Sequence, residues 1–174
     1  MAERTRIGRI PPYPVVLWLP PGAQLIGMVG VLEAFDAANH ILAHAGHPAL
    51  YDLTVVAEGE RTASSAGLLL QTAPASAVER VHTLVVGGAL AQGDIAVDVH
   101  ALPGLRRLAG MAERIVAICG GTFWVGALGL LEGRRATTHW LGLDQLRERF
   151  PTARVERDAL FTQDGPVFTS AGAT

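Results

Sequence analysis

The residues of this chain best equipped for chemistry surround its single cysteine, in Ile118-Cys119-Gly120-Gly121. A thiol attacks or ligates only as its thiolate, so its surroundings decide its use. Ile115 to Ile118 is a short apolar run of the kind found in buried parallel strands. Phe123 to Leu131 carries small and apolar residues suited to a helix covered on most faces. The intervening glycines permit a sharp turn. A strand bending so abruptly into a helix lifts Cys119 onto the corner, in the manner of a nucleophile elbow. The helix then aims its free N–H groups and positive dipole end at the sulfur, which predicts a lowered thiol pKa. The alternative is an inert thiol buried among Ile, Val and Ala. A lowered pKa would also fit an oxidation sensor.

Twenty residues on, Thr137-Thr138-His139 supplies an imidazole. His139 is either a ligand or base beside Cys119, or a strand cap held by a hydrogen bond. Thr122 is expected to cap the helix after the corner. Phe123 and Trp124 either line an apolar pocket or fill the core. His40 and His44 share a helix face, but no third ligand on a rigid element accompanies them, so no metal site is expected. Asp36 and Asn39 read as polar positions at a subunit or helix contact, and Arg134-Arg135 as a solvated pair.

Positioning these groups takes a folded domain, and the composition provides one. The chain has 174 residues, 49% apolar and 17% charged, with a net charge of −2. That is one globular domain with room for a substantial core. The 14 basic residues form no stripe, which excludes this stretch as a nucleic-acid binder in its own right. One cysteine excludes an internal disulfide and fits a reducing cytoplasm. No uninterrupted apolar run reaches the length of a membrane span, and no secretion signal opens the chain.

Residues 1–14 read as a loose arm ending in Pro11-Pro12-Tyr13-Pro14. Strands are predicted at Val15–Leu19, Tyr51–Ala57, Val81–Val86, Ile115–Ile118, Ala136–Trp140, Val155–Asp158, Leu160–Gln163 and Val167–Ser170, with a turn at Asp164-Gly165. A short antiparallel pair is predicted between Thr62 and Thr72. Helices are predicted over about Gln24–Ala45, Leu102–Arg114, Phe123–Leu131 and Leu143–Phe150. This order predicts an α/β fold: an open, mostly parallel sheet flanked by helices on both faces. Ligands of such sheets sit beyond the carboxyl ends of the strands, where Gly88 and Cys119 fall.

Several segments, in order, resemble the ThiJ/PfpI group of the class I glutamine amidotransferase-like superfamily, which has a flavodoxin-like fold. They are Val85-Val86-Gly87-Gly88, Ala117-Ile118-Cys119-Gly120-Gly121, Gly129 to Trp140 (Gly-Leu-Leu-Glu-Gly-Arg-Arg-Ala-Thr-Thr-His-Trp) and Phe168-Thr169-Ser170-Ala171-Gly172. Leu19-Pro20-Pro21-Gly22, Glu33 to Asn39 and Arg149-Phe150-Pro151 are most similar to the amino-terminal domains of AraC-type transcription regulators. The resemblance implies one domain over residues 15–174, with a final helix and a DNA-binding helix-turn-helix domain expected beyond Thr174. It implies that Cys119 and His139 are the site pair, and that the amides of Gly88 and Gly120, with Gly121, form an oxyanion or ligand cradle. No cofactor and no metal are implied.

Active relatives, among them isonitrile hydratases, carry an acid after the first strand; Gly27 matches that position. Gly120 stands where isonitrile hydratases have a threonine, and Glu33 matches a helix glutamate farther along. The expected function is a ligand-sensing and dimerising domain of an AraC-type regulator, binding a small molecule beside Cys119 and reaching DNA only through the further domain. The alternative is a cysteine-dependent hydrolase or hydratase.

Overall fold

The structure is a computed structural model and describes residues 12–88 and 95–172. The strands are β1 (Tyr13–Trp18), β2 (Tyr51–Ala57), β3 (Arg61–Ala63), β4 (Leu69–Gln71), β5 (Ala73–Pro74), β6 (Thr83–Val86), β7 (Arg114–Ile118), β8 (Arg135–Ala136), β9 (Arg154–Val155), β10 (Phe161–Asp164) and β11 (Val167–Ser170). The helices are α1 (Leu25–His44), α2 (Leu102–Met111), α3 (Gly121–Ala127) and α4 (Leu143–Arg149). Seven strands form the main sheet in the order β10-β11-β7-β6-β1-β2-β5. Every pairing in it is parallel except β10 with β11.

Alternation along β1 builds two cores, since successive side chains leave opposite faces of a strand. Val15 and Leu17, with Leu19 just beyond, join Val85, Ile118 and Cys119 beneath Met28, Leu32 and Phe35 of α1. Val16 and Trp18 join Leu84, Val86 and Ala117 beneath Leu105 and Leu108 of α2, Phe123 to Val125 of α3, and Leu146 of α4. The expected two-faced α/β sheet is what the chain forms.

The strand begins earlier than the sequence implied. Tyr13 donates its N–H to the Leu50 carbonyl, and its ring lies against Tyr51 and His82. Residues 12–14 of the expected arm are therefore ordered into or beside β1; residues 1–11 lie outside the described residues. Helix α1 is also longer than a surface helix needs to be. By length and composition it would suffice to cross a bilayer, an equivalence hidden in the sequence because Glu33 and Asp36 interrupt the apolar run. In the structure it packs on the sheet through Met28 and is tied there by Asn39. The Asn39 side chain donates to the Tyr51 carbonyl and accepts from the Leu50 and Tyr51 N–H groups at 2.8–3.0 Å. Asn39 thus ties α1 to the start of β2.

The Ala136–Trp140 strand shrinks to Arg135–Ala136 because side chains replace the ladder beyond it. The Thr137 N–H donates to Thr169 Oγ1, and the Thr137 carbonyl accepts from Thr122 Oγ1. Thr122 is therefore a tether between segments, not the cap of α3. Arg134 and Arg135 are engaged rather than merely solvated. Arg135 pairs with Glu156, Arg134 donates to the Asp164 carbonyl, and Arg154 pairs with the Asp164 carboxylate.

Candidate functional site

Strand β7 and helix α3 meet at Cys119, whose φ of +55° makes it the one non-glycine residue with positive φ among the described residues. That left-handed conformation costs an L-residue roughly 1–2 kcal/mol. It persists because three segments hold the residue. The Cys119 N–H donates to the Ser170 carbonyl at 3.1 Å. Its carbonyl accepts from the Thr122 N–H at 3.2 Å and from Thr138 Oγ1 at 2.8 Å. Each such bond contributes about 1 kcal/mol net, so together they exceed the strain.

Glycines close the corner. A Cβ built on Gly88 would stand 2.1 Å from the Gly120 carbonyl carbon and the Gly121 nitrogen. One on Gly121 would stand 2.1 Å from the Val86 carbonyl oxygen. The ends of β6 and β7 meet backbone on backbone at Gly88, Gly120 and Gly121. Gly172, with φ of +96°, covers the thiol from β11: its Cβ would lie 3.0 Å from Cys119 Sγ. The cysteine is only 6% exposed.

Burial raises the thiol pKa, and the Gly120 N–H bonded to the sulfur offsets only part of that rise. The lowered pKa expected from the helix end is thus contradicted. Helix α3 has only seven residues, and desolvation is the larger influence on the thiol, ahead of the Gly120 hydrogen bond.

His139 is buried on the segment that Thr138 pins to Cys119. Its ring is committed locally. Nδ1 accepts the Leu141 N–H at 3.3 Å, making His139 the cap of the turn Trp140–Gly142, and the ring lies beside Trp140. With Nδ1 as acceptor, the neutral ring carries its proton on Nε2. The hydrogen-bonding cap is the role seen, though it caps a turn and not a strand.

Glu33 is exposed on α1 and has no bond to the corner among the described residues. Phe123 and Trp124 fill the core; Trp124 meets Trp18 edge to face at 4.8 Å. His40 pairs with Asp36, and no metal-binding cluster occurs among the described residues. Two open clefts, of about 400 and 310 Å3, lie at the opposite end of the sheet, around Pro14, Glu79 and Arg80. At the thiol corner Cys119 is buried, with Gly172 lying over its sulfur. Sequence reading missed Thr138 and Gly172 as its supports. The signal for Thr138 was its place beside His139 in a Thr-Thr pair.

Residues 15–174 match the DJ-1/PfpI family model. The chain is 36% identical over 143 residues to an uncharacterized protein in the cpoL 5' region of Streptomyces lividans, covering 81% of this chain and 97% of that one. It is 32% identical over 157 residues to the HTH-type transcriptional regulator CdhR of Pseudomonas aeruginosa, covering 90% of this chain but 45% of the regulator. It is 35% identical over 116 residues to an isonitrile hydratase of Pseudomonas putida, covering 64% of this chain and 48% of that enzyme. The chain therefore spans about half the length of the regulator and the hydratase. The crystal structure of an AraC family transcriptional regulator from Pseudomonas putida superposes with a TM-score of 0.75 at 24% identity, over 92% of this chain and 84% of that one. Sheet order, the glycine-lined cysteine corner and the family match over residues 15–174 agree: the chain belongs to the DJ-1/PfpI family.

Proposed function

We propose that this domain senses a small molecule at the Cys119 corner and forms a homodimer, as the regulatory half of an AraC-type transcription regulator acting in the cytoplasm. Contact with DNA falls to a helix-turn-helix domain outside this sequence. The observation that carries the reading is the state of the thiol. A nucleophile needs its thiolate, and burial here favours the neutral S–H form. Gly27 brings no acid, Glu33 is exposed, and the Nδ1 lone pair of His139 is taken by its own turn. What supports a sensing role is the glycine-lined corner of Gly88, Gly120 and Gly121 at the carboxyl ends of β6 and β7, where ligands of such sheets sit. The match to about half of a longer regulator supports the same reading.

The pairing surface is the outer side of α1. Ile26 and Ile41 are 73% and 70% exposed there, and Val29 46%. The β3–β4 hairpin stands next to the start of α1 through the Gly22–Ala63 and Ser65–Ala23 backbone bonds, and exposes Leu68 and Leu69. Apolar surface of this kind marks an interface. A ligand that shifts how two copies pair would reposition the attached DNA-binding modules.

The second reading, a cysteine-dependent hydratase or hydrolase, is favoured by the 35% identity to an isonitrile hydratase. One experiment separates the two. Small carboxylates, amines, amides and isonitriles are screened by thermal shift on the native chain and on Gly88→Ala and Cys119→Ala, with isonitrile and amide turnover followed in parallel. The sensing reading expects a stabilising compound whose shift is reduced in the variants and no cysteine-dependent turnover. Turnover lost in Cys119→Ala would establish the enzyme instead.

A further inference from the structure

We infer that Thr138 is a positioning residue whose hydroxyl holds Cys119 in its left-handed conformation and thereby sets how reachable the thiol is. Its Oγ1–H reaches the Cys119 carbonyl at 2.8 Å, both residues being buried. That carbonyl is the atom a relaxing Cys119 would have to swing, because returning φ from +55° to the ordinary negative range rotates the flanking peptides. The other two bonds to the Cys119 backbone involve backbone groups of β11 and α3, which no side-chain change removes. Thr138 is the one side chain in the clamp among the described residues.

Thr138 is itself braced. Its neighbour Thr137 is held through Thr169, whose hydroxyl meets Thr162 at 2.8 Å, and Thr162 also bonds the Arg135 carbonyl. The chain of buried threonines runs from the β10–β11 hairpin to Thr137, and only Thr138 of the group bonds Cys119 itself. The inference borrows from the sensing reading only the biological use of the thiol. Its test reads the thiol directly and stands whatever the ligand is.

The test is the rate of iodoacetamide alkylation against pH for the native chain, Thr138→Val and Thr138→Ser, with Thr162→Val as the control for loss of a buried hydroxyl far from the cysteine. With the clamp gone, the corner opens and the sulfur meets solvent. Thr138→Val is expected to react at least fivefold faster at pH 8, with its pH midpoint moved down. Thr138→Ser is expected within twofold of the native chain. Thr162→Val is expected to lose thermal stability without that change in rate. A folded Thr138→Val that reacts within twofold of the native chain overturns the inference, as does a Thr162→Val that reacts as fast as Thr138→Val. If Thr138→Val does not fold, Thr138→Ala takes its place; should both fail, a serine variant that also fails to fold contradicts the inference, and one that folds with native reactivity upholds it.

Discussion

The cysteine corner and the outer face of α1 lie on the same layer of the molecule and are built in opposite ways. At the corner, Gly88 and Gly121 meet backbone and Gly172 meets the Cys119 side chain so closely that none leaves room for a Cβ. On α1 a Cβ added at Gly30 would meet nothing within 4 Å, and large apolar side chains stand in solvent. One region is packed shut and the other leaves large apolar side chains exposed. Close backbone packing fixes the geometry of the corner, and exposed apolar surface is the kind that marks interaction sites.

The sharpest contrast is a methyl group added on each side. Gly121→Ala is expected to cost 3 kcal/mol or more, on the order of severe overpacking against fixed backbone. Gly30→Ala is expected to be neutral or to stabilise by up to about 1 kcal/mol through helix propensity. Denaturant unfolding of both variants decides, and equal costs would dissolve the distinction. The next largest effect is on assembly. Ile26→Asp with Ile41→Asp should weaken self-association by tenfold or more, which is about 1.4 kcal/mol, in sedimentation equilibrium. Unchanged association would move the interface elsewhere.

Asn39→Ala leaves the Leu50 and Tyr51 N–H groups without their acceptor and should cost about 1–2 kcal/mol in thermal unfolding. The smallest effect is on pH dependence. A thiol whose folded pKa is raised contributes stability that is full below its unfolded pKa and fades as pH rises through the folded value. Stability of the native chain should therefore decline above the ordinary thiol range, and Cys119→Ala should flatten that decline.

Much of this was legible in the sequence. The continuous apolar runs at Val15, Val81 and Ile115 announce strands, since such runs are visible without tertiary context. The glycines after Val86 and Cys119 announce the corner. The thiol pKa was not legible, because it depends on Gly172 folding over the sulfur from fifty residues away. The short β8 escaped for a related reason: Thr122 and Thr169 take over the backbone groups of Thr137, and a competition between side chain and ladder is decided only once the segments meet. Asn39 looked like a contact residue because a polar side chain on a helix does not reveal which strand it will tie.

The pH profile of iodoacetamide alkylation in the native chain bears most directly on whether the Cys119 corner senses or catalyses. The account predicts slow reaction with a midpoint above about 8.5, the value of an ordinary thiol. A midpoint below that, with rapid reaction at neutral pH, would show a thiolate ready to attack and contradict it.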